Sequence, residues 1–141
     1  MASSRNETQI TWSSASSVSL NSNSAFTSDA FTYNAEDWAA ELQVHADNSG
    51  TPASGDTVDV YIAYTAGDIL GDTGSDYDTT EHAEFLCRLD TYATNTPGED
   101  PACKTVPIRT GALGFKIIAQ ANQGATRAVT FRARVVTHRP Q

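Results

Sequence analysis

The chain has 141 residues, of which 39% are hydrophobic and 18% charged, and its formal net charge is −8 at pH 7. These values indicate one soluble domain with its own core. They exclude a membrane-spanning helix, because no run approaches the roughly 20 apolar residues that a span requires. Residues 1–102 carry all 17 Asp and Glu with two arginines, whereas residues 103–141 carry seven Lys and Arg and no acid. Opposite potentials on one small protein are typical of surfaces that guide association.

Residues 1–35 form a polar segment, in which 18 of the first 34 residues are Ser, Thr or Asn. Its apolar residues occur in pairs two positions apart: Ile10 and Trp12, Val18 and Leu20, Phe31 and Tyr33. This spacing predicts short strands in an N-terminal arm, held by its own sheet or by a neighbouring subunit. A sandwich domain is expected over residues 36–141. The arm has no apolar stretch typical of a secretory signal, so we expect a protein that stays in the cytoplasm or leaves it packaged in a particle.

Two strongly alternating segments follow the arm. Even positions are apolar in 38–46 and again in 57–65, and a loop rich in Gly, Pro, Asn and Asp separates the two segments. Alternating runs on either side of such a loop predict an antiparallel hairpin. The same parity predicts that Trp38 and Tyr64 face the core and that Tyr61 faces outward.

Neither the acidic residues nor the cysteines match a known metal or disulfide framework. Asp72, Asp76 and Asp78 offer the oxygen ligands that Ca²⁺ prefers, but their spacing differs from that of an EF-hand. We expect a solvated acidic loop and no cofactor, with a calcium site at these three residues as the weaker alternative. Cys87 and Cys103 fit no zinc pattern. Two reduced, mostly buried thiols are expected, and a single disulfide formed after release from the cell is the alternative.

Two shorter segments lie between the acidic loop and the C-terminal region. Apolar residues alternate at Phe85, Cys87 and Leu89, which predicts a strand, with a short capped helix as the alternative. The run 104–109 predicts an edge strand or a bulge, because Pro107 cannot donate to a hydrogen-bond ladder.

The last 27 residues predict a closing hairpin. Odd positions are apolar in 115–121 and in 129–135, which predicts the side that faces the core. The even positions place Lys116, Arg132 and Arg134 together on the opposite side. We therefore predict one basic sheet face, with these three residues as the candidate interaction site. Neutralisation by acidic cross-strand partners within the monomer is the alternative.

Taken together, the segments predict seven or eight strands, separated by turns roughly every 10 residues. This spacing is typical of an all-β fold, an antiparallel β-sandwich, of which the jelly roll is one form. The sequence has no repeat of fixed period, which argues against a solenoid or propeller.

The sequence carries no motif typical of catalysis. Gly-x-Ser-x-Gly, a phosphate-binding loop and His-Glu-x-x-His are absent, and His45, His82 and His138 lie in different predicted elements. We therefore expect a protein that is not an enzyme. The chain is acidic overall and its predicted basic face lacks aromatic residues, so no nucleic-acid partner is expected. Exposed aromatic residues, such as Tyr61 and Tyr77, leave a carbohydrate-binding module as an alternative.

Three features together carry a resemblance to a known class of protein. They are the Ser/Thr-rich arm without a signal peptide, the alternating block 56–65, and the paired segments 114–124 and 128–136. In these features the whole chain resembles small β-sandwich virion proteins of tailed bacteriophages, especially capsid decoration (cement) proteins. The resemblance implies a non-enzymatic homo-oligomer, most often a trimer, which binds and stabilises major capsid subunits on the virion surface. A tail or fibre component, or the shell subunit itself, is the alternative within the same class.

Overall fold

The described part of the chain folds into ten strands, arranged in two antiparallel sheets that pack face to face. The computed structural model describes residues 3–20, 23–48, 52–65, 77, 83–92, 102–123 and 128–141. Sheet I contains β1 (Ser3–Gln9), β2 (Val18–Leu20), β5 (Ala39–Asn48), β8 (Ala102–Ile108) and β10 (Val129–Pro140). Sheet II contains β3 (Ala25–Thr27), β4 (Phe31–Thr32), β6 (Thr57–Thr65), β7 (Glu84–Asp90) and β9 (Gly114–Asn122). Within these residues, no helix is long and apolar enough to cross a membrane.

The strand order is that of a jelly roll. Sheet I runs β1-β10-β5-β8, and β2 continues along the same side of β10 as β1. Sheet II runs β3-β9-β6-β7, and β4 continues along the same side of β9 as β3. The ten strands therefore occupy eight positions, and the chain pairs as one long nested hairpin wrapped into two sheets: first with last, second with seventh, third with sixth, fourth with fifth. This arrangement is two Greek keys, and the predicted all-β sandwich is confirmed.

The two predicted hairpins are wrong, although their strands are confirmed. β5 lies in sheet I and β6 lies in sheet II, and β10 and β9 are divided between the sheets in the same way. The partners of β5 are β8 and β10, and those of β6 are β7 and β9. Alternation fixes which face of each strand is buried, but an arch between two sheets buries that face as well as a hairpin does.

The N-terminal segment is built into both sheets. β1 pairs with the end of β10 over seven consecutive residues, from Ser3 opposite Pro140 to Gln9 opposite Arg134. The buried residues that this segment adds to the core are Ile10, Trp12, Leu20 and Tyr33. The arm is thus held by its own sheets, and its residues share one core with the rest of the chain.

The core lies between the sheets and is formed largely by the residues that the alternation identified. Phe115 and Phe131 are fully buried, and the Trp12 ring meets the Phe131 ring edge to face at 5.7 Å between centroids. Trp38 was predicted to face the core, but it is 60% exposed. It precedes the first residue of β5, so the inward parity of that strand does not include it.

The structure confirms the predictions for Tyr64 and Tyr61 but only part of the prediction for the two cysteines. Tyr64 packs against the core, as predicted. Tyr61 faces outward, and its ring meets Phe85 at 5.7 Å between centroids. Cys87 and Cys103 are not joined by a disulfide, and Cys87 is buried whereas Cys103 is exposed. The expectation of burial is therefore wrong for Cys103, because β8 is an edge strand and this residue lies on its outer face.

Candidate functional site

The outer face of sheet I brings polar residues of neighbouring strands together around β10. The odd-numbered residues of 129–135 are buried, so Arg132 and Arg134 point away from the core. Arg132 lies opposite His45 of β5, and His45 lies opposite Cys103 of β8. Directly opposite residues share a face and lie within reach of one another. Arg132, His45 and Cys103 therefore form one row across three strands, the Arg132 row.

A second row crosses the sheet two residues further along β10. Arg134 lies between Gln9 of β1 and Gln43 of β5, and Gln43 lies opposite Thr105 of β8. Alternate residues on a strand are about 7 Å apart, so the two rows form one continuous polar surface. The seven residues of this polar patch are Gln9, Gln43, His45, Cys103, Thr105, Arg132 and Arg134.

The polar patch surrounds an open depression of about 440 Å³, a volume within the range of small-ligand sites. Its floor is formed at Val44, Lys104 and Ala133. The side chains of Val44 and Ala133 face the core, and Lys104 lies opposite Val44, on the same side of the sheet. These three residues therefore line the depression with their backbone atoms. The Lys104 charge therefore acts on the other side of the sheet, where Cys87 lies. Burial raises the pKa of the Cys87 thiol there, and Lys104 opposes the rise in part.

Arg134 is held in place by its neighbours on both sides. Its Nε donates to Oε1 of Gln43 at 2.7 Å, and its Nη1 lies 3.1 Å from Oε2 of Glu7 on β1. Glu7 also forms an ion pair with Arg5, whose Nη1 lies 2.7 Å from Glu7 Oε1. The guanidinium of Arg134 is therefore oriented by the fold, and one carboxylate is shared between two arginines.

The Arg132 row differs, because it contains groups that the fold leaves unsatisfied. Arg132 is exposed, and its side chain forms no hydrogen bond or ion pair with any residue that the structure describes. The Nδ1 atom of His45 is buried and has no hydrogen-bond partner among the same residues. A buried polar atom without a partner costs free energy. The row therefore combines a free guanidinium with an imidazole that lacks a partner.

Two other C-terminal arginines are paired with acids inside the monomer, as the alternative prediction proposed. Arg139 Nε lies 2.8 Å from Oδ1 of Asp37, whose side chain is fully buried. Arg109 pairs with Glu84 at 2.6 Å, and its backbone N–H donates to the Tyr64 hydroxyl at 3.0 Å. Since Arg134 is paired with Glu7, Arg132 is the arginine of the polar patch that is available to a partner.

The structure corrects the prediction that Lys116 shares a face with Arg132 and Arg134. Lys116 belongs to β9 of sheet II, so it lies on the opposite side of the sandwich. Its Nζ lies 5.0 Å from the centre of the Tyr77 ring, a cation–π contact. The prediction failed because it assumed that β9 and β10 pair with each other.

The structure does not test the alternative prediction of a calcium site. Asp72, Asp76 and Asp78 lie outside the described residues. Among the residues that are described, no three His, Cys, Asp or Glu side chains group as ligands for a metal ion.

Sequence reasoning missed the residues that β5 and β8 contribute to the polar patch. The alternation places Gln43 and His45 on the outer face of β5, so their exposure was readable from the sequence. Their neighbours were not, because the pattern within a strand does not identify the strand beside it. Cys103 and Thr105 are adjacent to this site because β8 pairs with β5, across a sequence separation of about 60 residues.

A second surface feature lies at the end of sheet I. The exposed Trp38 ring lies 5.8 Å from the His138 ring, measured between centroids and tilted by 44°. His138 Nε2 lies 3.0 Å from Oε2 of Glu41. The indole is thus supported by a second ring and has a carboxylate nearby.

The polar patch and the Trp38 surface are the two features from which a function can be argued. No protein-family model matches the chain, and a search of the curated proteins finds no match to it.

Proposed function

We propose that the protein is a non-enzymatic structural component of a phage virion, a decoration or cement protein that binds major capsid subunits. The proposal combines the resemblance in the sequence with the fold. Jelly rolls recur in viral capsid proteins, although a fold by itself supports a function by analogy alone. A rigid sandwich, with its first strand paired to its last, suits a part that reinforces a shell.

The observation that carries the proposal is the contrast between Arg132 and the paired arginines. Arg134, Arg139 and Arg109 each have an acidic partner within the chain. Arg132 lacks one among the described residues and lies in a concave polar surface. On a protein of net charge −8, such a site attracts an acidic group of a partner and sets the orientation of docking. The polar patch is therefore the proposed contact with the capsid subunit.

Charge alone does not hold two proteins together. A stable interface buries about 1,200 Å² or more in total, so apolar contacts around the polar patch must supply much of the affinity. In this proposal the arginines contribute selectivity and association rate, and the homo-oligomer, a trimer, multiplies the weak contacts of each copy.

Binding to capsids tests the proposal. The chain is mixed with expanded capsids of the virus whose genome encodes it, and co-sedimentation is measured at low salt and at about 0.5 M salt. We expect co-sedimentation that weakens with salt and is lost in Arg132→Glu/Arg134→Glu. The matched control is Lys116→Glu, which adds negative charge on the other sheet and should retain binding. Purified virions that lack the chain by mass spectrometry would refute the proposal, and light scattering tests the trimer.

A carbohydrate-binding module is the second candidate, and the exposure of Trp38 favours it. Sugar rings stack on exposed aromatic faces, and neighbouring polar groups bind their hydroxyls; here the neighbours are His138 and Glu41. Tyr61 and Tyr77, the rings that the sequence offered, instead contact Phe85 and Lys116.

Glycan-array binding separates the two candidates. If the chain binds sugars, Trp38→Ala should abolish the binding. Tyr92→Ala, which removes another exposed ring, should leave it unchanged. The absence of any glycan binding together with retention on capsids would reject the module.

A further inference from the structure

We infer that the depression in the polar patch is a binding site for a carboxylate, carried by an acidic side chain of a peptide or protein segment. The inference rests on the geometry of sheet I alone and stands whether or not the chain joins a capsid.

The first step is the shape of the site. Residues from four strands surround a depression of about 440 Å³. The two central strands, β10 and β5, each have a paired strand on both sides. Side chains on paired strands are held in register. The site is thus built on rigid elements, and Arg134 is oriented before a ligand arrives.

The second step is the charge. Among the polar patch residues, Arg132 and Arg134 are the cations and none is acidic. Glu7 lies beside the patch, 3.1 Å from Arg134, but the same carboxylate also pairs with Arg5 at 2.7 Å. Arg132 has no acidic partner among the described residues. The site is therefore positive, and its unpaired cation is Arg132, which favours an anionic ligand.

The third step is the hydrogen-bonding geometry. The planar fork of a guanidinium matches the two oxygens of a carboxylate, and the Arg132 fork has no described partner to displace. Other groups of the patch can donate hydrogen bonds as well: the Thr105 hydroxyl and the amide nitrogen of Gln43. These can hold the polar part of a ligand whose carboxylate binds Arg132.

A titration followed by NMR tests the inference on the full chain. The probe is the dipeptide acetyl-Asp-Glu-amide, and its neutral counterpart acetyl-Asn-Gln-amide is the matched control. Sulfate at equal ionic strength is the third arm. We expect saturable shifts of the backbone amides of His45, Cys103 and Arg132 with the acidic dipeptide, and none with the neutral one.

Two variants complete the test. Arg132→Gln should weaken binding by about tenfold or more, because it removes a charged hydrogen-bond partner. Its side chain makes no described contact, so the fold should be retained. Lys116→Gln removes the same charge from the other sheet and should change the affinity less than about twofold. Equal shifts with the neutral dipeptide, tighter binding of sulfate, or equal losses in both variants would each overturn the inference.

Discussion

Replacing Arg139 with alanine should destabilise the fold by about 3 kcal/mol. The Asp37 side chain is fully buried; one of its oxygens lies 2.8 Å from Arg139 Nε and the other accepts the backbone N–H of Asn34 at 2.9 Å. Removing one partner of a buried ion pair costs about 3–5 kcal/mol, because the remaining charge is left uncompensated. The lower end applies here, since Asp37 keeps the Asn34 bond and Arg139 is 26% exposed, which lets water reach the vacated space.

Thermal unfolding followed by circular dichroism measures this effect. For a chain of this size, 1 kcal/mol lowers Tm by about 3 °C, so Arg139→Ala should unfold about 10 °C below the wild type. The control is Arg134→Ala on the same strand. Its pair with Glu7 is exposed on both sides, 44% and 39%, and exposed pairs contribute about 1 kcal/mol at most. A double-mutant cycle with Asp37→Asn isolates the pair itself.

Arg139→Ala should lower Tm clearly more than Arg134→Ala does. Equal losses would mean that burial of the Asp37 carboxylate does not set the cost. A coupling energy near zero in the cycle with Asp37→Asn would lead to the same conclusion, because the two side chains would then act independently.

Three further predictions concern packing, reactivity and pH. Gly114→Ala should cost about 1–3 kcal/mol, because its Cβ would lie 2.2 Å from a backbone oxygen, whereas Gly111→Ala has nothing within 4 Å and should be neutral by chemical denaturation. In the native protein a maleimide should modify Cys103 but not Cys87, and mass spectrometry of unfolded protein should find both modified; rapid native labelling of Cys87 would contradict its burial. Arg88 donates two hydrogen bonds to the Asp59 carboxylate, and these hold the pKa of Asp59 below its ordinary 3.8. This carboxylate therefore stabilises the fold above pH 3.8, and its contribution is lost as the pH falls through the pKa of the folded state. Tm should therefore fall less between about pH 7 and pH 3 in Asp59→Asn than in the wild type, and an equal fall would refute this contribution.

The sequence predicts the strands of this fold well, because period-two alternation is a local property. In β5 every even residue from Ala40 to Ala46 is buried and every odd one is less so, as the pattern required. Pairing is a different matter. Apolar faces lie side by side in a hairpin and face to face across an arch, and both satisfy the same alternation. That ambiguity separated Lys116 from Arg132 and concealed the contact between His45 and Cys103.

The nested pairing also explains the charge distribution along the chain. A hairpin wrapped into a jelly roll places the beginning of the sequence beside its end, so acids of the first part become neighbours of cations of the last. Glu7 and Arg134 are 127 residues apart, and Asp37 and Arg139 are 102 apart. Acids and cations that are far apart in the sequence therefore form ion pairs in the folded chain. The functional question therefore concerns not the seven C-terminal cations as a group but Arg132, whose position in the polar patch leaves it without an acidic partner in the described chain.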